Sequence, residues 1–326
     1  MSPTTTATAA PAATPDLEEA SPPPAARPAT RRAHDGALPR PGIGYLLPAL
    51  AVFGVFALLP LIGVAALSFT SWNGLGNPAF NGLDNWQQLF ANPATWSSLK
   101  VTLILTALGW LLQTPLALLL GVWAAGTQRL RAVFSALYFL PLLLSGAAVA
   151  LVWKALLDPT FGLSGQLGSW FGSDGDFLSS PSGALACVLA VGAWQFVPFH
   201  MLMYQAAARN VPAQLYEAAT LDGAGRVRQF FAITLPQLRN TVVTSSTLMV
   251  VGSMTTFETI LILTNGGPGT ATQILPFRMY QQAFMSFEMG PAAALATVLV
   301  LFGTGLSLLI VRFSGFTKMN STLEGI

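Results

Sequence analysis

Residues 101–125 read VTLILTALGWLLQTPLALLLGVWAA, an apolar stretch of 25 residues without a charged side chain. An α-helix needs about 20 apolar residues to cross the hydrocarbon core of a bilayer. The stretch contains Pro115, but in lipid a helix is still favoured because an open chain cannot satisfy its own backbone polar groups. We therefore expect this stretch to be a membrane-spanning helix.

Five further apolar stretches of similar length lie on either side of this one, at residues 43–69, 133–157, 184–207, 241–263 and 292–311. The composition agrees with a lipid environment, because 53% of the residues are hydrophobic and 9% are charged, whereas about 25% are charged in soluble proteins. The net charge of +2 gives no basic face for nucleic acid. The sequence thus predicts an all-α membrane protein with six transmembrane helices.

The basic residues give the orientation. With six crossings, twelve of the fifteen Lys and Arg residues fall on one side, namely Arg27, Arg31, Arg32, Arg40, Arg129, Arg131, Arg209, Arg226, Arg228, Arg239, Arg312 and Lys318. Such an excess marks the cytoplasmic side. We therefore predict that both termini are cytoplasmic.

The chain ends differ in composition from the part between them. Residues 1–40 are rich in Pro, Ala and Thr and have too few large apolar groups to offset the entropy of folding. We predict a disordered cytoplasmic N-terminal tail at 1–40, a six-helix transmembrane domain at 41–316, and a cytoplasmic C-terminal tail at 317–326.

Catalytic and metal-binding chemistry is not indicated. The single cysteine, Cys187, and the two isolated histidines, His34 and His200, do not form a metal-ligand pattern. No stretch matches the phosphate-binding pattern G-x-x-x-x-G-K-[ST]. We expect no metal site, no cofactor and no enzymatic activity in this chain; if ATP drives the protein, another subunit binds it.

The loop after the fourth stretch has a sequence that is not typical of a simple turn. Residues 211–236 read VPAQLYEAATLDGAGRVRQFFAITLP. Pro212 suits the first position of a helix, and Gly223 can adopt the positive φ that ends one. The pattern predicts two short helices in an L shape at the cytoplasmic surface, the first over 213–221 and the second over 225–233.

The first of these helices carries groups that suit a partner protein. Ala218 and Ala219 are small, so another surface can approach closely, and Glu217 can pair with a partner arginine. Apolar side chains that could fill a groove are supplied by Leu215, Tyr216 and Leu221. On physical grounds alone, an amphipathic helix that lies on the membrane surface remains an alternative.

The spacing within the loop resembles a known motif. Glu217-Ala218-Ala219 is followed after three residues by Gly223, and after nine more by Ile233-x-Leu235-Pro236. This is similar to the "EAA" motif in permease subunits of binding-protein-dependent ABC importers, in the form typical of maltose-type carbohydrate permeases. Residues 82–86 (GLDNW) and 263–269 (LTNGGPG) also resemble that family, and the likeness covers about residues 43–316.

The resemblance implies a mechanism and a set of partners. Two permease subunits, most often two related but different chains, would pair around a pathway, and two ATP-binding subunits holding ATP and Mg would dock below them. An extracytoplasmic solute-binding protein would deliver the solute. The coupling contact to the ATP-binding subunit would comprise Glu217, Ala218, Ala219, Asp222 and Gly223.

Polar groups in or near the spans are candidates for the substrate pathway. We select Gln113, Trp194, Gln195, Glu258 and Asn265; packing or hydrogen bonding between helices is the alternative for each. A carbohydrate is the expected solute. Glycerol-3-phosphate or another polar solute, and less favourably a self-contained secondary transporter, remain alternatives.

Overall fold

The computed structural model describes residues 43–126, 129–170, 174–254 and 256–314. The chain divides into two units, Met1–Ala51 and Val52–Ile326. In the first unit the described residues form the start of an apolar helix. All contacts described below lie in the second unit. The predicted tails, 1–40 and 317–326, lie outside the described residues.

The first apolar stretch forms a helix over Gly44–Leu67. A 3-10 turn, Ile43–Leu46, is followed by α1 (Leu47–Phe53), a π-helical turn (Gly54–Leu58) and α2 (Leu59–Leu67). The π-helical turn precedes Pro60, whose missing N–H removes one helical hydrogen bond. Within this chain, every residue of Gly44–Leu67 is exposed or half-buried. This is expected for a helix that faces lipid or another subunit.

A small hairpin and a short helix come next. The strands β1 (Thr70–Ser71) and β2 (Ala79–Phe80) pair antiparallel, with Thr70 opposite Phe80. Helix α3 spans Asp84–Ala91. It leads at once into α4, since Asn92 caps α4 by accepting a hydrogen bond from the Ala94 N–H at 3.0 Å.

The middle of the chain contains the two longest helices. These elements are α4 (Pro93–Ala124), α5 (Arg129–Tyr138), a 3-10 turn (Leu140–Leu143), α6 (Gly146–Leu156), α7 (Ser164–Trp170) and α8 (Pro181–Arg209). The third apolar stretch is therefore bent, by 98°. The bend lies just after the turn that contains Pro141, where Leu144 adopts an extended backbone before Ser145 caps α6.

The last part of the chain contains two longer helices, α12 and α14, and several short helical elements before and between them. They are α9 (Ala213–Leu221), α10 (Arg226–Gln229), a π-helical turn (Phe230–Thr234), α11 (Leu235–Gln237), α12 (Arg239–Met254), a π-helical turn (Ile260–Thr264), α13 (Leu275–Tyr280), a π-helical turn (Gln281–Met285) and α14 (Met289–Ser314).

The all-helical membrane fold predicted from the sequence is confirmed, but the count of six crossings stays a prediction. Within the described ranges, four helices are long and apolar enough to span a bilayer: Gly44–Leu67, Pro93–Ala124, Pro181–Arg209 and Met289–Phe313. The bent pair of the third stretch gives a fifth candidate. The fifth stretch, 241–263, is not one helix, because α12 ends at Met254 and helical structure resumes only after Phe257.

Hydroxyl side chains at this break compete with the helix for backbone partners. The Ser253 hydroxyl donates to the carbonyl of Val250 at 2.8 Å, and the Thr256 hydroxyl donates to the carbonyl of Gly252 at 3.1 Å. Such local bonds offer the backbone an alternative to helical pairing.

Helices α4 and α8 form the centre of the second unit and share more contacts than any other pair of described elements. They touch backbone to backbone at Gly121, where a Cβ would lie 2.7 Å from the Met201 carbonyl oxygen. The outer face of α4 instead carries leucines that are largely exposed, such as Leu111 and Leu119. The pair therefore has a tightly packed inner face and an apolar outer face that suits lipid.

Candidate functional site

Helix α9 projects from the loop between α8 and α12. Its sequence AQLYEAATL is rich in good helix formers. Glu217 and Ala218 are exposed, whereas Ala219 is half-buried. Leu221 is 89% exposed. One face of α9, containing Glu217, Ala218 and Leu221, is thus free within this chain to contact another protein.

Gly223 ends α9 in a tight turn. Its φ is +74°, a conformation that is rare for residues with a Cβ. The N–H of Gly223 donates to the carbonyl of Thr220 at 3.0 Å, and the N–H of Ala224 donates to the carbonyl of Ala219 at 2.8 Å. This pair of hydrogen bonds is the Schellman motif. The predicted helix stop at Asp222-Gly223 is therefore present, with both residues exposed.

The side chain of Gln229 connects α9 and α10. Its Nε2 donates to the Thr220 hydroxyl at 3.1 Å and to the Ala224 carbonyl at 2.9 Å. The two short helices are thereby held together by a side chain on one and the C-terminal turn of the other. The L shape expected from the sequence stays a prediction, but the corner between the two helices is hydrogen-bonded.

Two further contacts connect the pair of short helices to the long ones. The hydroxyls of Tyr216 and Thr234 lie 2.9 Å apart. Phe230 and Leu235 pack against a buried cluster that contains Tyr204 of α8 and Leu238. Tyr216, which the sequence suggested as an outward apolar contact, is therefore half-buried and turned toward its own chain.

A cavity of about 380 Å³ lies between α4, α8 and α12. Its volume falls in the range of ~300–1,000 Å³ found for small-molecule sites. Aromatic side chains on its wall come from Trp110, Phe196 and Phe199, and polar ones include Gln113, His200 and Ser253. Of the described residues that line it, none is Asp, Glu, Lys or Arg. The cavity is thus apolar with a few uncharged polar groups.

The five residues predicted for the substrate pathway are not brought together. Gln113 lines the cavity. Trp194 packs against a buried cluster and contacts Trp153 edge-on at 5.6 Å. Gln195 is 4% exposed and its Nε2 lies 3.5 Å from the Leu144 carbonyl. Trp194 and Gln195 thus make the packing and hydrogen-bonding contacts that the sequence left open as the alternative, and their part in a pathway stays a prediction.

The other two predicted pathway residues lie beyond the break in the fifth stretch. Glu258 is exposed, and its carboxylate lies so close to Gly146 that a Cβ there would come within 2.6 Å of Oε2. Asn265 is exposed and takes a positive φ of 50°, which ends the turn Ile260–Thr264. Its placement reflects the tolerance of asparagine for this conformation.

Sequence reasoning did not select His200, Phe196 or Phe199. A usable signal was present, because Gly192, Phe196, Phe199 and His200 recur at helical spacing and so share one face of α8. Across the described residues, no group of three or more His, Cys, Asp and Glu is arranged to hold a metal ion.

Comparison with known proteins agrees with this architecture. The family model described as "Binding-protein-dependent transport system inner membrane component" matches residues 117–315. The chain belongs to this family. It is therefore a multi-pass membrane component of a transport system.

Named relatives of this chain include the following three. A protein of Pyrococcus horikoshii named "Probable ABC transporter permease protein" is 34% identical over 79% of this chain and 89% of its own length. A diacetylchitobiose uptake system permease of Streptomyces coelicolor is 30% identical, covering 84% and 82%. An sn-glycerol-3-phosphate transport system permease of Yersinia pseudotuberculosis is 30% identical, covering 82% and 92%.

The fold also matches a solved transporter. A chain of the bacterial alginate ABC transporter, solved in complex with an alginate-bound periplasmic protein, aligns with a TM-score of 0.70 and 25% identity. The alignment covers 84% of this chain and 92% of that chain.

Proposed function

We propose that the chain is the permease subunit of an ABC importer that carries a carbohydrate across the cytoplasmic membrane, with α9 as the docking element for an ATP-binding subunit. The family match and the alginate and diacetylchitobiose relatives support this reading. The docking role rests on one observation: α9 is exposed, and hydrogen bonds fix its C-terminal turn at Gly223.

The contacts of α9 suggest how force from a docked ATPase would reach the membrane. Movement of α9 pulls on Thr234 through the Tyr216 hydroxyl and shifts Phe230 against the buried cluster. That cluster includes Tyr204 of α8 and Leu238 beside α12. Because packed helices shift as rigid bodies rather than bend smoothly, α8 and α12 would move relative to each other around the cavity.

The proposal includes the partners and the orientation expected from the sequence. Glu217, Ala218, Ala219, Asp222 and Gly223 form the contact with the ATP-binding subunit, which holds ATP and Mg. A second, related permease completes the pathway, and an extracytoplasmic binding protein delivers the solute. Six crossings place both termini and α9 on the cytoplasmic side, in agreement with the positive-inside pattern.

A substitution at the turn tests this proposal. In Gly223→Val the positive φ is disfavoured by about 1–2 kcal/mol, and β-branching adds to the strain, so the turn that presents α9 is lost. We expect ATPase activity of the purified importer to lose its stimulation by solute-loaded binding protein. Gly225→Ser is the matched control, because Gly225 has φ −69° and Ser is favoured at this helix start. Unchanged stimulation in Gly223→Val would reject the docking role.

One alternative solute has a specific observation in its favour. Because one relative is an sn-glycerol-3-phosphate permease, a phosphorylated solute is an alternative for this fold. The uncharged wall of the cavity favours a neutral carbohydrate, since an anion taken from water needs a compensating charge. A self-contained secondary transporter is disfavoured by the family membership.

A further inference from the structure

His200 occupies an unusual position on the cavity wall. It is 4% exposed, and its Nδ1 lies 2.9 Å from the hydroxyl oxygen of Ser245 on α12. Phe199 contacts its ring edge-on at 5.1 Å. The imidazole is therefore fixed in orientation by one hydrogen bond and one aromatic contact. Its Nε2 has no hydrogen-bond partner among the described residues, although His200 lines the cavity.

The tautomer of His200 decides whether its Nε2 donates or accepts a hydrogen bond. If the Ser245 hydroxyl donates to Nδ1, the proton is on Nε2, which is then a donor; in the other tautomer Nε2 is an acceptor. A hydroxyl group on a solute can donate or accept, so it matches both tautomers. A carboxylate or phosphate oxygen that carries no proton can only accept, and it matches only one.

The rest of the cavity fits the same class of solute. The amide of Gln113, on α4, likewise has no hydrogen-bond partner within the described structure. Trp110 and Phe196 supply apolar faces of the kind that small-molecule sites place around a few fixed polar groups. No charged side chain from the described lining would compensate an anionic or cationic solute.

We propose that His200 contacts the solute through Nε2, that Ser245 positions it, and that the cavity accepts an uncharged, hydroxyl-rich solute. This proposal rests on the proposed function, because it takes the cavity to be part of the solute pathway. It predicts that the importer carries neutral sugars and does not carry glycerol-3-phosphate or acidic sugars.

Chemical labelling of His200 tests the proposal on the intact importer. The purified complex, without binding protein, is treated with diethyl pyrocarbonate, and labelling of each histidine is followed by mass spectrometry. Neutral probes are maltose and N,N′-diacetylchitobiose; anionic probes are sn-glycerol-3-phosphate and glucuronate. His34, the other histidine of the chain, is the internal control.

We expect His200 to react, and a millimolar concentration of at least one neutral disaccharide to slow its labelling several-fold. The anions should leave the rate unchanged, and no probe should affect His34. The proposal is overturned if His200 does not react, if its rate is the same with every probe, or if the anions protect it.

Variants provide a second measurement that a purely structural role would not reproduce. His200→Leu should raise several-fold the disaccharide concentration that gives half-maximal uptake, with the maximal rate maintained, and His200→Gln should restore part of the affinity. A defect confined to the maximal rate would contradict solute contact. Failure of the docking role would instead appear as retained stimulation in Gly223→Val, and it would leave the labelling pattern unchanged.

Discussion

Asn85 shows how one side chain can connect three segments. It is 3% exposed, and its Nδ2 donates to the carbonyl of Ser68 at 2.9 Å and to that of Thr70 at 2.8 Å. Its Oδ1 accepts from Asn81 Nδ2 at 3.1 Å. The end of the first apolar helix, the hairpin and α3 are thus joined at a single buried amide. The asparagine of the GLDNW stretch therefore has a structural role at this junction.

Replacing this amide by an acid tests the junction. Asn85→Asp removes both donated hydrogen bonds and places a carboxylate beside two carbonyls. Each buried group left without a partner costs about 1–3 kcal/mol, so we expect a clear drop in the thermal unfolding temperature of the purified complex. Gln87→Glu makes the same chemical change at an exposed position of α3 and should have little effect. Equal stability of both variants would contradict the role of Asn85.

Residues whose conformation is set locally were predictable from the sequence, whereas residues placed by distant contacts were not. Gly223 follows from helix-ending chemistry, and its positive φ is observed. The sequence predicts that Trp194 and Gln195 contact a sugar, because an aromatic ring and an amide within a span suit a sugar's apolar face and hydroxyls. Their contacts with Trp153 and with the Leu144 carbonyl come from distant parts of the chain.

At the scale of elements, α4 carries two glycines with different surroundings. At Gly121 a Cβ would lie 2.7 Å from the Met201 carbonyl oxygen and 2.7 Å from Tyr204 Cβ. At Gly109 the nearest atom would be Gln113 Nε2 at 3.5 Å, an ordinary contact. The first glycine is needed for the close approach of α4 and α8, while the second leaves room for a methyl group.

These two positions form a matched pair of alanine substitutions. Gly121→Ala forces the helices apart and should destabilise the protein by about 1–3 kcal/mol. Gly109→Ala should be neutral or slightly stabilising, since alanine is favoured over glycine in a helix by about 1 kcal/mol. Denaturant titration of the solubilised permease would measure both. A Gly121→Ala variant as stable as the parent would contradict the close packing of α4 and α8.

Hydrophobicity predicted where the apolar elements lie but not whether each is continuous. The second, fourth and sixth stretches are single helices, as their length suggested. The third bends by 98° at the break between Leu143 and Gly146, although a proline such as Pro141 just before it is tolerated in lipid-embedded helices. The fifth is interrupted where serine and threonine hydroxyls bond to the backbone. Both interruptions involve local backbone geometry and side-chain hydrogen bonds, which hydrophobicity alone does not describe.

At the scale of the whole molecule, α8 connects the two candidate sites. Tyr204 packs in the cluster that receives Phe230 from the loop. His200 lies one helical turn earlier on the same helix and lines the cavity. If α9 docks as proposed, we expect a displacement there to reach the cavity through α8. The docking of α9 on an ATP-binding subunit is the claim on which this sequence of contacts depends.

Site-specific photo-cross-linking tests that claim most directly. After Cys187, the one native cysteine, is replaced by alanine, a benzophenone maleimide is attached either at Leu221→Cys on α9 or at Leu75→Cys between β1 and β2. The two leucines are similarly exposed, at 89% and 80%. We predict adducts with the ATP-binding subunit from position 221 and none from position 75. Absence of that adduct at position 221, or equal amounts at both positions, would contradict the account.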